Sequence, residues 1–429
     1  MNIIKHIVSE SLRPFPKLRR FVSDLHKKSK YYIWKTKNIF KDNTQKQLSN
    51  GLRLFNDQKN HYFFGYYDKS PWNIENNKIL FLKSEFAKRI PSKNDKIDIG
   101  FFDVKENKKN IIGESKAWSL QQGNMLQWLN GESDQLIIYN DFENGEYCSV
   151  IHDIYNGIKK KLPLPIYTIS SNGKYALTLN FDRLKHTSPG YGYNNRDYKN
   201  KDSKIPKNDG IWKMNLESSK YKLIISYNDI INFQPKKEFK NSIHWVNHLE
   251  FNTNDKRFVF LHRWRYKNKR YSRMLTADID GNDLYCLSDY DMVSHFTWKD
   301  NNHILAWARQ PKFGDNYYIF KDKSEIVNTF AKDILDKDGH PSFSPDGRFL
   351  LTDTYPNDGR ISTLILYDTK RKKRFDLGKY FSPFEYSRIY RCDLHPRWDR
   401  KGNKICFDSV HEGKRNIYIL DVSSITNID

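Results

Sequence analysis

The sequence predicts an all-β chain folded as a seven-bladed β-propeller, preceded by a short, basic, helical extension. Three observations predict it. A unit made of an aromatic residue, a polar turn and an apolar strand recurs seven times. Each recurrence is followed by a second alternating strand. Aromatic residues make up 15% of the 429-residue chain, and such side chains favour pleated, half-buried surfaces. A repeat of about 40–50 residues cannot bury its apolar face alone, and a closed ring gives every unit two neighbours.

The extension comes first, over residues 1–49. Ile3, Ile4, Ile7, Val8, Phe21, Val22 and Leu25 stand at helical spacing, interrupted by Pro14 and Pro16. Residues 1–42 hold eleven Lys/Arg against three Asp/Glu, so +8 of the formal +22 sits there. Peripheral membrane contact through 1–42 is one expectation for such a segment, and packing against the ring is the other.

The propeller occupies 50–429. Its repeats fall at 70–82, 126–140, 169–181, 249–264, 296–309, 341–355 and 396–409. The turns SNG, SPDG and RKGN supply residues that tolerate tight geometry. Second strands follow, among them IDIGFFDV at 97–104 and NIYILDV at 416–422. The first blade is expected to borrow a strand from one terminus. An insertion at 183–210, rich in Gly, Asn, Lys and Tyr, has no strand pattern. Its composition suits a lid over a carbohydrate or an anion, with Tyr191 as a candidate contact, or a tolerated surface loop.

Composition narrows the function classes. None of the four cysteines forms CxxC, which fits a reducing compartment. The first residues lack a seven-residue apolar core and a small-residue cleavage site. A cytoplasmic protein, peripheral at the inner membrane face if the extension binds lipid, is the expectation. GxSxG, Walker, GxGxxG and HExxH motifs are absent. The positive charge would suit nucleic acid, but no recognisable module accompanies it, so nucleic acid is not expected.

Four histidines stand in one register of the repeat: His248 in HLEF, His295 in HFTW, His340 in HPSF and His395 in HPRW. Equivalent positions on neighbouring blades point at one axis. His295, His340 and His395 on blades five to seven can supply three nitrogen donors to a metal. His248 is a fourth ligand or a free base. Polar channel residues bonded to water are the alternative reading of all four.

Other candidates surround them. The stretch from His61 to Trp72 crowds aromatics with Asp68 and Lys69, which can bond sugar hydroxyls or carboxylates, and Gly65 allows close backbone approach. Tyr167 and Arg183, sixteen residues apart, combine an acid–base group with a carboxylate fork. Gln122 and Asn124 offer amides to a carboxyl group. His244 adjoins His248, and Arg263 lies in the following HRWR.

The repeats, FGYYDKSPW, the Tyr167/Arg183 spacing, HPSFSPDG and LHPRW together resemble the seven-bladed propeller polysaccharide lyases, the oligogalacturonate and ulvan lyases. The resemblance covers roughly residues 50–425. It implies a divalent ion (manganese, calcium or zinc) held by His295, His340 and His395, with His248 catalytic. It also implies that Tyr167 and Arg183 act as the tyrosine–arginine pair of the ulvan lyases. Lys337 stands where the oligogalacturonate lyases carry a ligating glutamine. The implied chemistry is β-elimination at a uronic acid: the carboxylate is neutralised, a base removes the C5 proton and an acid protonates O4. A lyase-like protein acting on an acidic polysaccharide or oligosaccharide, in surface polysaccharide metabolism, is therefore expected. The alternatives are a glycan-binding or scaffolding propeller and a propeller glycoside hydrolase.

Overall fold

A computed structural model describes residues 15–37, 52–129 and 134–427. Ile3, Ile4, Ile7 and Val8 lie outside them. Seven antiparallel four-stranded sheets form the predicted propeller. Blades one to six span 61–115, 127–162, 168–226, 243–288, 293–329 and 342–381.

The closing blade corrects one expectation. The borrowed strand belongs to the seventh blade, not the first. Leu52–Arg53 adds as its outermost strand, with Leu52 opposite Ile419 and Arg53 opposite Tyr418. The cause lies in the phase of the repeat. Each unit begins with its innermost strand, and the last unit supplies three strands of its blade. The segment before blade one adds the fourth, outermost strand and completes the blade.

The landmark aromatics join blade to blade. The indole N–H of Trp128 donates to the carbonyl of Pro71 at 2.8 Å. Trp298 donates to Glu250 at 3.2 Å and Trp398 to Ser342 at 3.3 Å. Each crosses to the preceding blade. A buried indole usually finds a partner for its one donor, and here the preceding blade supplies it. The motif therefore recurs because the interface recurs.

The segments leading into the inner strands leave the regular pleat. Blade four has a bulge between Asn247 and Glu250, and blade five one between Val293 and Phe296. His248 has a φ of +54° and His395 a φ of +43°. This left-handed geometry is uncommon for side chains larger than glycine. Bulges re-aim side chains, and here the imidazoles turn out of the blades into the channel.

The insertion is packed down. It opens within a helix, Phe181–Thr187, whose cap Asn180 accepts from the Arg183 N–H. Tyr193 stacks on Phe181 with centroids 4.4 Å apart. Asn195 donates to the carbonyls of Lys93 and Lys116. A second helix, Pro16–Lys37, precedes the ring and packs on blade six and the link that follows it. No helix among the described residues is long and apolar enough to cross a membrane.

A candidate active site in the channel

His295, His340 and His395 follow one hydrogen-bonding plan. Nδ1 of His295 meets Asp338 Oδ1 at 3.0 Å, and that of His340 meets Asp353 Oδ1 at 2.8 Å. Nδ1 of His395 meets the Gly65 carbonyl at 2.8 Å. A carboxylate or carbonyl accepts, so each Nδ1 carries a proton, and in the neutral imidazole Nε2 keeps its lone pair. The rings of His295 and His395 both lie 4.4 Å from that of His340.

Among the described residues, Nε2 of His340, Nε2 of His395 and Oδ1 of Asp393 are buried without hydrogen-bond partners. Donor atoms of these three residues lie within 4.8 Å of one another. Two imidazole nitrogens and a carboxylate, each imidazole oriented through its other nitrogen, suit a divalent transition metal. His295 stands beside this set, with Nε2 at 3.5 Å from the Tyr355 hydroxyl. Lys337 points away: its side chain is 67% exposed and pairs with Asp336, so the chain's departure from the glutamine pattern brings no cation to the donors.

Charge differs sharply among the rings. Burial pulls the His340 pKa down, but Asp353, Asp393 and Asp338 outweigh it and hold it above the ordinary value. Burial, then the charges of His340, Arg397 and Arg391, hold His395 far below. His248 is also far below, through burial and then Arg263, His295 and His340. It is a neutral imidazole at pH 7.

His248 sits among hydroxyls. Its Nδ1 is 3.3 Å from the Tyr167 hydroxyl and its Nε2 is 3.5 Å from that of Tyr66, whose ring stacks on it. Gln122 Nε2 donates to the Tyr167 hydroxyl at 2.8 Å, and that hydroxyl donates to Asn247 Oδ1 at 3.3 Å. Burial holds both tyrosines well above their ordinary pKa, so both keep their protons. Gln122 Oε1, Asn247 Nδ2 and both amide atoms of Asn124 are buried and unpartnered among the described residues.

Arg263 lies on the second strand of blade four and is 8% exposed. Its Nε is buried without a partner among the described residues. Burial, then Arg270, lowers its pKa to about 10, while Tyr191, Tyr66 and Tyr167 act in the other direction. A fixed cation thus shares the space of His248 and the tyrosines. Tyr191 reaches it from the insertion: its ring is edge-on to His248, and its hydroxyl accepts from Arg391 at 3.0 Å.

Two expected participants are elsewhere. Arg183 is fully buried, and its guanidinium donates to the carbonyls of His244, Ser203 and Lys204 and to the Tyr198 hydroxyl. The helix beginning at Phe181 turns it away from Tyr167 and into the insertion, so no fork remains for a carboxylate. His244 is likewise engaged: Nδ1 lies 2.9 Å from His262 Nε2 and Nε2 lies 2.7 Å from the Phe239 carbonyl. Both residues hold the insertion and blade four together and correct the roles expected of them.

Asp68 and Lys69 pair at 2.8 Å. With Tyr67, Glu250 and Arg397 they line a cavity of about 160 Å³, and Lys69 Nζ lies 5.1 Å from the centroid of the Tyr167 ring. Tyr67 stands between it and the histidines, its ring packed on His340 and its hydroxyl donating to the Phe296 carbonyl at 2.9 Å. Burial pushes the Glu250 carboxyl up to about 8. Gly65 lets this strand cross blade two. Its φ is +134°, and a Cβ there would stand 3.0 Å from the Gln122 carbonyl oxygen.

Sequence reasoning missed Tyr66, Asp338, Asp353 and Asp393. Asp338 and Asp393 each precede a channel histidine by two residues, a D-x-H spacing that signals them. Asp353 lies thirteen residues after His340 on the paired strand of blade six and carries no spacing signal.

No protein-family model matches the sequence, and no curated protein matches it. Solved structures do match in fold. One is an oligogalacturonate lyase from Vibrio parahaemolyticus, with a TM-score of 0.58, 13% identity, and coverage of 86% of this chain and 93% of that one. Another is an oligogalacturonate lyase in complex with manganese, with a TM-score of 0.61, 13% identity, and coverage of 88% and 94%. At this identity the likeness defines the class of fold, a seven-bladed propeller shared with oligogalacturonate lyases.

Proposed function

We propose that this protein is a carbon–oxygen lyase that cleaves a uronate-containing oligosaccharide by β-elimination in the channel. One observation carries the reading: a neutral, buried His248 shares its space with the cation of Arg263, whose Nε has no partner among the described residues. Elimination needs those two things together, a base for the C5 proton and a positive charge on the carboxylate that acidifies it.

The roles follow from the hydrogen bonds. Arg263 takes the C6 carboxylate, assisted by the free amide groups of Asn124 and Asn247. Gln122 donates to Tyr167, Tyr167 donates to Asn247, and the Nδ1–H of His248 donates a hydrogen bond to the Tyr167 oxygen. Nε2 of His248 is then the basic nitrogen. It accepts the C5 proton, the electron pair forms the C4–C5 double bond, and the C4–O4 bond breaks. Tyr66, still protonated and beside the same ring, returns a proton to O4. Tyr167 is a positioning residue that fixes the tautomer of His248. Tyr191 supplies an aromatic face for a sugar ring.

His340, His395 and Asp393 would hold a divalent ion such as manganese, with His295 alongside. When bound, such an ion supplies further positive charge for the substrate carboxylate. The manganese-bound fold relative supports this assignment.

The test is incubation of the protein, with and without added manganese, with oligogalacturonate and other uronate oligomers. Ultraviolet absorbance of an unsaturated uronate end is the expected result. New reducing ends without that absorbance would mean hydrolysis, and substrate binding with neither would mean a glycan-binding propeller.

A further inference from the structure

We propose that the helix Pro16–Lys37 docks the protein on an anionic lipid surface. One face of this helix is committed to the ring. Lys30 pairs with Asp358 at 3.1 Å and Asp24 with Arg388 at 2.8 Å. Tyr31 meets Phe384 edge-on at 5.3 Å. Trp34 fills the space at Gly359, where a Cβ would stand 2.5 Å from the indole.

The opposite face is apolar and open. Leu18, Phe21, Leu25 and Tyr32 follow one another at steps of three, four and seven residues, which align on one side of a helix. They are 48%, 61%, 51% and 63% exposed, and Phe15 and Ile33 at their border are 61% and 55% exposed. Exposed apolar residues scattered singly are ordinary, but a row of them along one helix face, interrupted here by Lys28 and Ser29, marks a contact surface.

Charge selects the occupant. The helix carries eight Lys/Arg residues and a single carboxylate, Asp24. Lys28, three residues after Leu25, and Lys35, three after Tyr32, edge the stripe and are exposed. An apolar stripe bordered by cations fits a bilayer interface, with the apolar side chains below the headgroups and the ammonium groups among the phosphates. A second copy of the helix would bring the same positive charge against this one, which disfavours self-pairing. The docked face also has a direction. Asp358 shares the link 354–360 with Tyr355, and Arg388 lies three residues before Arg391, so the helix sits on the side of the ring that carries these two channel-facing residues.

The experiment is flotation of the full chain with vesicles of phosphatidylcholine alone or mixed with phosphatidylglycerol. The expected result is binding to the mixed vesicles only, weakened by salt. F21S/L25S should lose it, and K28Q/K35Q should weaken it on the order of thirty-fold, with thermal midpoints unchanged. Absence of binding to either vesicle, or undiminished binding by F21S/L25S, would overturn the proposal. So would a dimer, seen in sedimentation velocity and dissolved by F21S/L25S, in a chain that ignores vesicles.

Discussion

Asp353 grips His340 twice: one carboxylate oxygen accepts from the backbone N–H at 2.9 Å and from Nδ1 at 2.8 Å. Its other oxygen accepts from the His395 backbone N–H at 3.3 Å. One side chain thus sets the backbone of both histidines and the tautomer of one. We predict that Asp353→Asn lowers manganese affinity by about 10- to 100-fold, measured by calorimetric titration, with the secondary structure retained. Unchanged affinity would place the ion elsewhere.

Arg263 should trade stability against activity. A buried guanidinium without a partner is costly, and an apolar side chain of similar length is not. Arg263→Met is expected to raise stability by about 1–3 kcal/mol in denaturant unfolding while abolishing uronate cleavage. Retained turnover with a higher KM would reduce Arg263 to a binding contact.

Arg183 should behave in the opposite way. Removing it strands the carbonyls of His244, Ser203 and Lys204. Arg183→Met is expected to cost about 2–4 kcal/mol, with early proteolysis within 183–210. If the fold is unaffected and only cleavage is lost, the carboxylate-binding role returns to Arg183.

Acid should destabilise the ring partly through His248. Burial lowers its folded pKa well below 6.5, so in the window beneath 6.5 the unfolded chain binds a proton that the folded chain refuses. The stability it supports is complete above that window and declines as pH falls toward the folded pKa. His248→Gln is expected to flatten this decline in thermal midpoints, and an unaltered slope would count against a neutral His248. The wild type should also retain activity below pH 6.5, where an ordinary histidine base is protonated.

The fold was legible because its repeat is a physical interface: Trp128, Trp298 and Trp398 recur where blades must bond to their neighbours. The register that turns four histidines to one axis was legible for the same reason. The arginine was not. Tyr167 and Arg183 are close in sequence, but a helix begins between them and reverses Arg183. Arg263 arrives from the second strand of another blade, where strand pairing and not spacing decides its neighbours. Asp353 was hidden likewise. The helix was expected from its periodicity, but which face meets the ring was not legible until Tyr31 and Trp34 were seen to hold it.

The most direct test compares wild type with His248→Gln, both loaded with manganese, on oligogalacturonate. We predict unsaturated uronate ends from the wild type and at least about a hundredfold less from the variant, with equal manganese content and equal binding of the sugar. Equal product from both would contradict the assignment of His248 as the base, and no product from either would contradict the lyase reading itself.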